Sequence, residues 1–417
     1  MPLSHTLLTW TISATSIALV LIRPWRLPEA VWAVFGAILL LLTGVLSPRQ
    51  ALLAAGQGLD VYFFLIGMMS ISELARREGV FDWVAAHAVA ASKSSPVRLF
   101  TLVYLSGTAV TALLSNDATA VVLTPAVQSA IKAAQAEPLP YLFVCAFIAN
   151  AASFVLPISN PANLVVFHQG MPPLYRWLLT FSLPSVCSIV ATYILLRLLA
   201  RNLLNGKIGA PRRTTLSNSG RITFAGIAFM AIMLIAASAL GKDLGAPACI
   251  AAFVALAAVT LGDRSAPSEV LRKVAWSVLP LVAGLFVLVQ AMNQAGALAA
   301  AVNLLGRLQQ SPPITAALAS SFGVALVSNV MNNLPSGLIA GAAVHAAHIQ
   351  GSLRAAVLLG IDLGPNLSVT GSLATILWLI AMRREGQQVG FARFLKWGAL
   401  IMPPALALAV LALFVHA

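Results

Sequence analysis

The chain has 417 residues, 59% of them hydrophobic and 9% charged, with a mean hydropathy of +0.91. So little polar surface excludes a soluble globule of this length and points to an integral membrane protein. The net charge of +13 does not indicate a nucleic-acid partner, because the basic residues lie in short loops between apolar spans and no nucleic-acid motif accompanies them.

Apolar windows of about 20 residues predict spans near 3–22, 29–46, 58–77, 140–168 and 174–197. They recur near 222–240, 246–262, 276–294, 355–382 and 398–416. The first window lacks a charged leader and a cleavage site, so it reads as a retained span. Between the third and fourth spans of each half, a short amphipathic segment (79–93, then 296–309) precedes a Pro-started apolar stretch (96–134, then 312–349). Each stretch is broken in its middle by a polar motif, Ser115-Asn116-Asp117 in the first and Met331-Asn332-Asn333 in the second. The arms read as too short to cross a bilayer singly, so each stretch is expected to be a re-entrant hairpin with its tip at the motif. Irregular backbone at membrane depth is tolerated only where protein buries it or a watery cavity faces it.

The two motifs stand 217 positions apart, and the same offset maps Gly67 onto Gly284, Gly79 onto Gly296, Pro96 onto Pro313 and Asn116 onto Asn333. A constant register over about fifty residues marks an internal duplication. Residues 1–199 are expected to form the first repeat, 200–220 a cytoplasmic linker and 221–417 the second repeat. Five spans per half is odd, so the repeats should be inverted in the membrane. Loop charges agree: with both termini on the outer, periplasmic side of the inner (plasma) membrane, only Arg49, Arg176, Lys242, Arg307 and Arg354 fall outside, against twenty Lys and Arg inside. The expected class is therefore an all-α polytopic membrane protein. Its two inverted halves each carry five spans, one of them broken, and one re-entrant hairpin.

A second interruption follows each hairpin. In the first half, Pro157 and Pro161 bracket Ser159 and Asn160 between Asn150 and Asn163, removing ladder donors and freeing carbonyls. The helix resuming near Ala162 turns its positive end toward the gap. The second half offers Asp362, Gly364, Pro365, Asn366, Ser372 and Thr375; at an offset of 212, Asn150 pairs with Asp362, Asn160 with Ser372 and Asn163 with Thr375. Paired interrupted segments in corresponding parts of two halves point to a secondary transporter's binding site near the midplane.

Other features read as structural. Cys145, Cys187 and Cys249 lie in separate apolar stretches without CxxC spacing, so they indicate core residues, not a disulfide framework or thiolate cage. Glu73, near Arg76 and Arg77, reads as an interfacial ion-pair partner. His345 and His348 have helical spacing but no third ligand, so no metal site is expected. No HExxH, GxSxG or P-loop is present, so neither an enzyme nor a cofactor is indicated.

Three segments carry a resemblance: SNDATAVVLTP (115–125), NNLPS (332–336) and above all DLGPNLSVTGSLATILW (362–378). They are similar to the ArsB-type arsenite/antimonite efflux permeases of the ion transporter superfamily, and the likeness extends over essentially the whole chain. The resemblance implies export of trivalent arsenic and antimony hydroxides in exchange for protons, alone or with an ArsA-type ATPase subunit.

The residue chemistry suits that substrate. Arsenous acid is largely uncharged at neutral pH and presents three hydroxyls, so its pocket needs neutral groups that donate and accept. Ser115, Asn116, Asn150, Asn160, Asn163, Asn332, Asn333, Ser372 and Thr375 supply them, and no Arg or Lys stands in the motifs. Asp117 and Asp362 are the expected proton carriers, because acids at membrane depth line ion or proton paths. The alternative is a sodium- or proton-coupled small-anion carrier of the same superfamily. Such carriers have Ser-Asn-Thr at the hairpin tips, from which both tips here depart.

Overall fold

Helix starts fall where the sequence supplies residues for them. Pro48, Pro96, Pro161 and Pro313 occupy first turns, where a missing N–H costs nothing. Ser47, Ser115 and Ser217 accept the backbone N–H three residues on, at 3.2, 3.1 and 2.9 Å. The computed structural model describes residues 3–167, 170–205, 208–209, 215–384 and 389–415. In the first half the helices are α1 (Leu3–Ile22), α2 (Glu29–Leu42), α3 (Pro48–Gly56), α4 (Leu59–Arg77), α5 (Val80–Ala91), α6 (Pro96–Leu113), α7 (Asn116–Ala118), α8 (Thr124–Ala133), α9 (Leu139–Ala151), α10 (Pro161–Val166) and α11 (Leu174–Ala200). The second half has α12 (Asn218–Ala239), α13 (Gly245–Thr260), α14 (Ala266–Lys273), α15 (Val278–Gln294), α16 (Ala297–Gln309), α17 (Pro313–Met331), α18 (Asn333–Ala346), α19 (Gly351–Leu363), α20 (Leu373–Arg384) and α21 (Phe391–Ala412).

The expected elements appear at nearly the expected places, with two additions. Short helices α3 and α14 precede α4 and α15, and α3 meets α4 at a 50° bend. Residues 119–123 form a π turn joining α7 to α8, the kind of local widening that often marks a functional site. Among the described residues, seven helical stretches are long and apolar enough to cross a bilayer, or eight if the bent α3–α4 pair counts as one. These include α6 and α17, which corrects the expectation that no hairpin arm could cross alone. At 18 and 19 residues they reach about 27 Å at 1.5 Å per residue. Only the returning arms are short or interrupted.

Positions matched by the offset of 217 share local geometry. Gly79 and Gly296 both sit just before an amphipathic helix with positive φ, 71° and 102°, a conformation that glycine adopts without strain. Gly67 and Gly284 both mark close crossings: a Cβ on Gly67 would lie 2.4 Å from the Ala248 carbonyl carbon, and one on Gly284 2.8 Å from that of Ala33. Hence α4 of the first half packs on α13 of the second, and α15 of the second packs on α2 of the first. The halves thus exchange partners, and α11 packs along α21. Within each half the outgoing hairpin arm lies on the first part of the broken helix, α6 on α9 and α17 on α19. Across halves, the resumed helix lies on the other half's returning arm, α10 on α18 and α20 on α8 with its π turn.

The broken helices form the centre. Every residue from Pro140 to Ala151 in α9, all of α10, and Ala355–Leu363 in α19 are buried, as expected of helices surrounded by protein on all sides. Two described residues of the expected linker dock on the base of the first hairpin. The Ile208 N–H donates to the Ser94 carbonyl at 3.3 Å and the Gly209 N–H to that of Ala134 at 2.9 Å. Linker positions 206–207 and 210–214, with Lys207, Arg212 and Arg213, lie outside the described residues, as do positions 168 and 416 of two expected spans and both terminal positions.

Candidate functional site

Four helix N-termini face one small cavity. It is lined by Asn116 and Asp117 from the first tip, Asn333 and Leu334 from the second, Asn160 and Pro161 from the first break, and Ser372, Leu373 and Ala374 from the second. Leu65 of α4 and Val278 of α15 close its sides. Five of the expected residues, Asn116, Asp117, Asn160, Asn333 and Ser372, therefore meet here, one or two from each interrupted element. The volume is about 20 Å³, room for about one water. A larger solute needs the tips to part.

The cavity's electrostatics are specific. Each N-terminus brings the positive end of a helix dipole. Among the described residues no Lys or Arg lines the cavity, and its one ionisable group is Asp117, a half-buried residue whose carboxyl joins no hydrogen bond or ion pair there. Around it stand side-chain amides and a hydroxyl, groups that both donate and accept.

Behind the cavity runs a fully buried polar layer that ties the halves together. The Asn160 amide donates to Asp362 Oδ1 at 2.9 Å, while Asn160 Oδ1 accepts from the Ala162 N–H at 3.0 Å and so caps α10. Among the described residues, Asp362 Oδ2 has no hydrogen-bond partner. Ser153 lies beside this carboxyl, but its hydroxyl is donated to the Asn150 carbonyl at 2.8 Å. The Asn150 amide donates to Asn366 Oδ1 at 3.0 Å and reaches Thr375 Oγ1 at 3.4 Å. Thr375 shares a 2.8 Å hydrogen bond with Ser372. In each half, the residue before the break bonds a residue after the break of the other half.

The remaining expected residues stand apart from the cavity. Asn163 donates to the carbonyls of Ser153, Leu156 and Pro157 at 2.9, 3.4 and 3.3 Å, so it satisfies groups that the prolines free. Ser115 caps the first returning arm. Asn332, with φ of 75°, accepts from the Leu334 N–H at 3.3 Å and caps the second. Next to it, the Asn333 N–H donates to the Gly371 carbonyl at 2.9 Å, pinning the second tip to the second break.

Two residues given no binding role from sequence also support the site. Asn366 donates to the Phe147 carbonyl at 3.0 Å. Asn329 donates to the Ala325 and Gly364 carbonyls at 2.8 Å each and accepts from Ser368 at 2.6 Å. The available signal was an asparagine within apolar helical sequence, which must find partners once buried. Among the other residues, Glu73 forms the expected ion pair, meeting Arg76 through two hydrogen bonds of 2.7 and 2.5 Å. Cys145 is buried, Cys187 and Cys249 half-buried, and all three are free.

Comparison with known proteins places this architecture. Residues 17–361 match the citrate transporter family. The arsenical pump membrane protein of Escherichia coli K12 is 27% identical over 427 residues, covering 98% of each chain. That of Yersinia enterocolitica is also 27% identical and covers 84% of each. Among solved structures, the Alcanivorax borkumensis YdaH transporter superposes with a TM-score of 0.56 at 15% identity, covering 87% of this chain and 86% of that one. Neisseria gonorrhoeae MtrF gives 0.52 at 14% identity, covering 91% and 85%. At such identities these two show a shared fold. The chain is a membrane transporter that belongs to the citrate transporter family, with full-length likeness to the arsenical pump membrane proteins.

Proposed function

We infer that the protein exports trivalent arsenic and antimony hydroxides from the cell in exchange for protons. The observation that carries this reading is the cavity's make-up: amides and a hydroxyl of Asn116, Asn160, Asn333 and Ser372, with one acid and no cation. A neutral pyramidal trihydroxide matches groups that both donate and accept. The relatives named as arsenical pumps, similar over 98% of their length, support the same substrate.

A small-anion carrier is the second reading, favoured by the four converging helix N-termini, which attract negative charge, and by the description of the matched family. Asp117 argues against it. Its carboxylate sits in that positive field and supplies the negative charge itself, so a substrate anion would meet a like charge.

In the proposed cycle Asp117 and Asp362 carry protons. A proton on Asp362 Oδ2 would give that unpartnered oxygen a donor of its own, directed toward Ser153. Losing it leaves a carboxylate held by Asn160, across the boundary between the halves. With a neutral substrate leaving, each entering proton moves one charge and gains about 2.3 kcal/mol per 100 mV. The halves enter the inner membrane from opposite sides, with both termini outside and residues 200–220 in the cytoplasm. The hairpins and broken helices move together against a frame that includes α4, α13, α15 and α2. An ArsA-type ATPase would dock on the cytoplasmic face, where the linker meets the base of the first hairpin.

The test is substrate-dependent stabilisation of the purified protein. Protection from heat by antimonite and not by dicarboxylates supports hydroxide recognition; the reverse pattern establishes the anion carrier.

A further inference from the structure

The repeat offset exposes an asymmetry between the two mouths of the protein. At 217 positions, Glu73, Arg76 and Arg77 of α4 map onto Gln290, Asn293 and Gln294 of α15. In the first half these residues are locked by charge. Glu73 is paired with Arg76, and Arg77 binds Glu78, Asp263 at 2.6 Å and Glu269 at 2.9 Å. In the second half the same positions carry neutral amides and border an open cavity of about 350 Å³, with Gln57 completing the ring and Phe286, Val289, Leu298, Leu338 and Ala342 forming its apolar walls. The Asn293 side-chain oxygen is shielded and has no hydrogen-bond partner among the described residues.

The cavity's position gives it a direction. Arg77 ends α4 on the side where α12 begins, since a Cβ on Gly220 would lie 3.0 Å from the Glu78 carbonyl oxygen. Gln57, just before the start of α4, is therefore at the opposite mouth. Two helices run from the central cavity to this one. On α18, Asn333 lines the first and Leu338 and Ala342 the second. On α15, Val278 lines the first and Gln290 and Asn293 the second, a helical distance of about 20 Å.

We propose that Gln57, Gln290, Asn293 and Gln294 form a second, weaker binding station for small uncharged hydroxylated solutes on the release side of the central site. The proposal rests on the hydroxide reading above and deepens it. Amides exchange hydrogen bonds with hydroxyls without the strong hold of an ion, so they lower the cost of stripping water while letting the solute go. The charged counterpart at the other mouth does the opposite: it latches helices across the halves. The two repeats thus share one scaffold, with a latch at one end and a vestibule at the other.

The test grafts a charged pair onto the vestibule. The double variant Gln290→Glu/Asn293→Arg reproduces the Glu73–Arg76 pair, and Asn293→Leu removes one amide without adding charge. Antimonite uptake into everted vesicles reads passage, and antimonite protection of the purified full-length protein against heat reads the central site. The expected result is uptake about tenfold slower in the graft and about threefold slower in Asn293→Leu, with the protection midpoint within about twofold of wild type in both. Wild-type uptake in both variants overturns the station. So does joint loss of uptake and protection in both, because these residues would then act through the central site or the fold. Absence of antimonite protection in the wild type overturns the hydroxide reading itself, and the proposed ligand class with it.

Discussion

The Asn160 amide donates to Asp362 Oδ1 at 2.9 Å, joining the helix that resumes in one half to the helix that stops in the other. Both residues are buried, so the bond has no water to replace it. Asn160 also lines the cavity, so the same side chain faces the substrate space and hydrogen-bonds the deeper acid. Asn160→Leu leaves a carboxyl oxygen unpaired and is expected to cost about 1–3 kcal/mol. Thermal unfolding in detergent reads this loss.

Asp362→Asn keeps the shape and still accepts from Asn160, so the variant should fold and bind antimonite. It cannot release a proton, and proton-driven export should fall to the passive background. Asp117→Asn should act alike at the cavity wall. Full export by both variants, measured in everted vesicles, would remove the coupling role.

The exchanged packing of the halves predicts a stability effect far from the site. Gly67→Val and Gly284→Val each drive side-chain atoms into backbone already in contact, at 2.4 and 2.8 Å from the Cβ position. Overpacking of this kind costs about 1–3 kcal/mol or more. The Gly67 variant should show the larger drop in melting temperature, and equal wild-type stability in both would contradict the crossing.

Acid should loosen the latch on the linker side. The Arg77 guanidinium beside Asp263, with Ser265, holds that exposed carboxyl down at about 2. A depressed carboxylate contributes stability above its ordinary value near 3.8 and loses it as pH falls through about 2. The Asp263→Asn variant should therefore match wild type at pH 2 and be the less stable of the two at pH 7. Hydrogen exchange at the C-terminal end of α4 follows this directly.

If hydroxyl recognition replaces thiolate capture, the cysteines are dispensable. Cys145, Cys187 and Cys249 sit on α9, α11 and α13, and none lines the central cavity. Replacing all three with Ala should leave antimonite protection within about threefold of wild type.

Much of this was legible before the structure because the signals were local or repeated. Hydropathy located the spans, and proline and glycine marked the hairpins and breaks. Gly79 and Gly296, matched by the offset of 217, both turn with positive φ. The arms were misjudged because length alone does not show where a helix starts, and Pro96 and Pro313 start theirs a full 18 and 19 residues before the break. Five of the expected residues line one cavity, since each stands at an interruption. The division of labour among asparagines was not legible. Whether an amide faces a cavity, as Asn160 does, or feeds stranded carbonyls, as Asn163 does, depends on which way a half-turn points after a proline. The bond between Asn160 and Asp362, at 202 positions apart, has no local trace at all.

The central claim is that a neutral hydroxide leaves as protons enter through Asp117 and Asp362. Antimonite uptake into everted vesicles carrying an imposed pH gradient, recorded together with current, tests it most directly. The account predicts uptake that follows the gradient, accelerates with an inside-positive potential, and carries at least one charge per substrate. Uptake indifferent to both gradient and potential, or uptake unaltered in the Asp117→Asn/Asp362→Asn double variant, would contradict it.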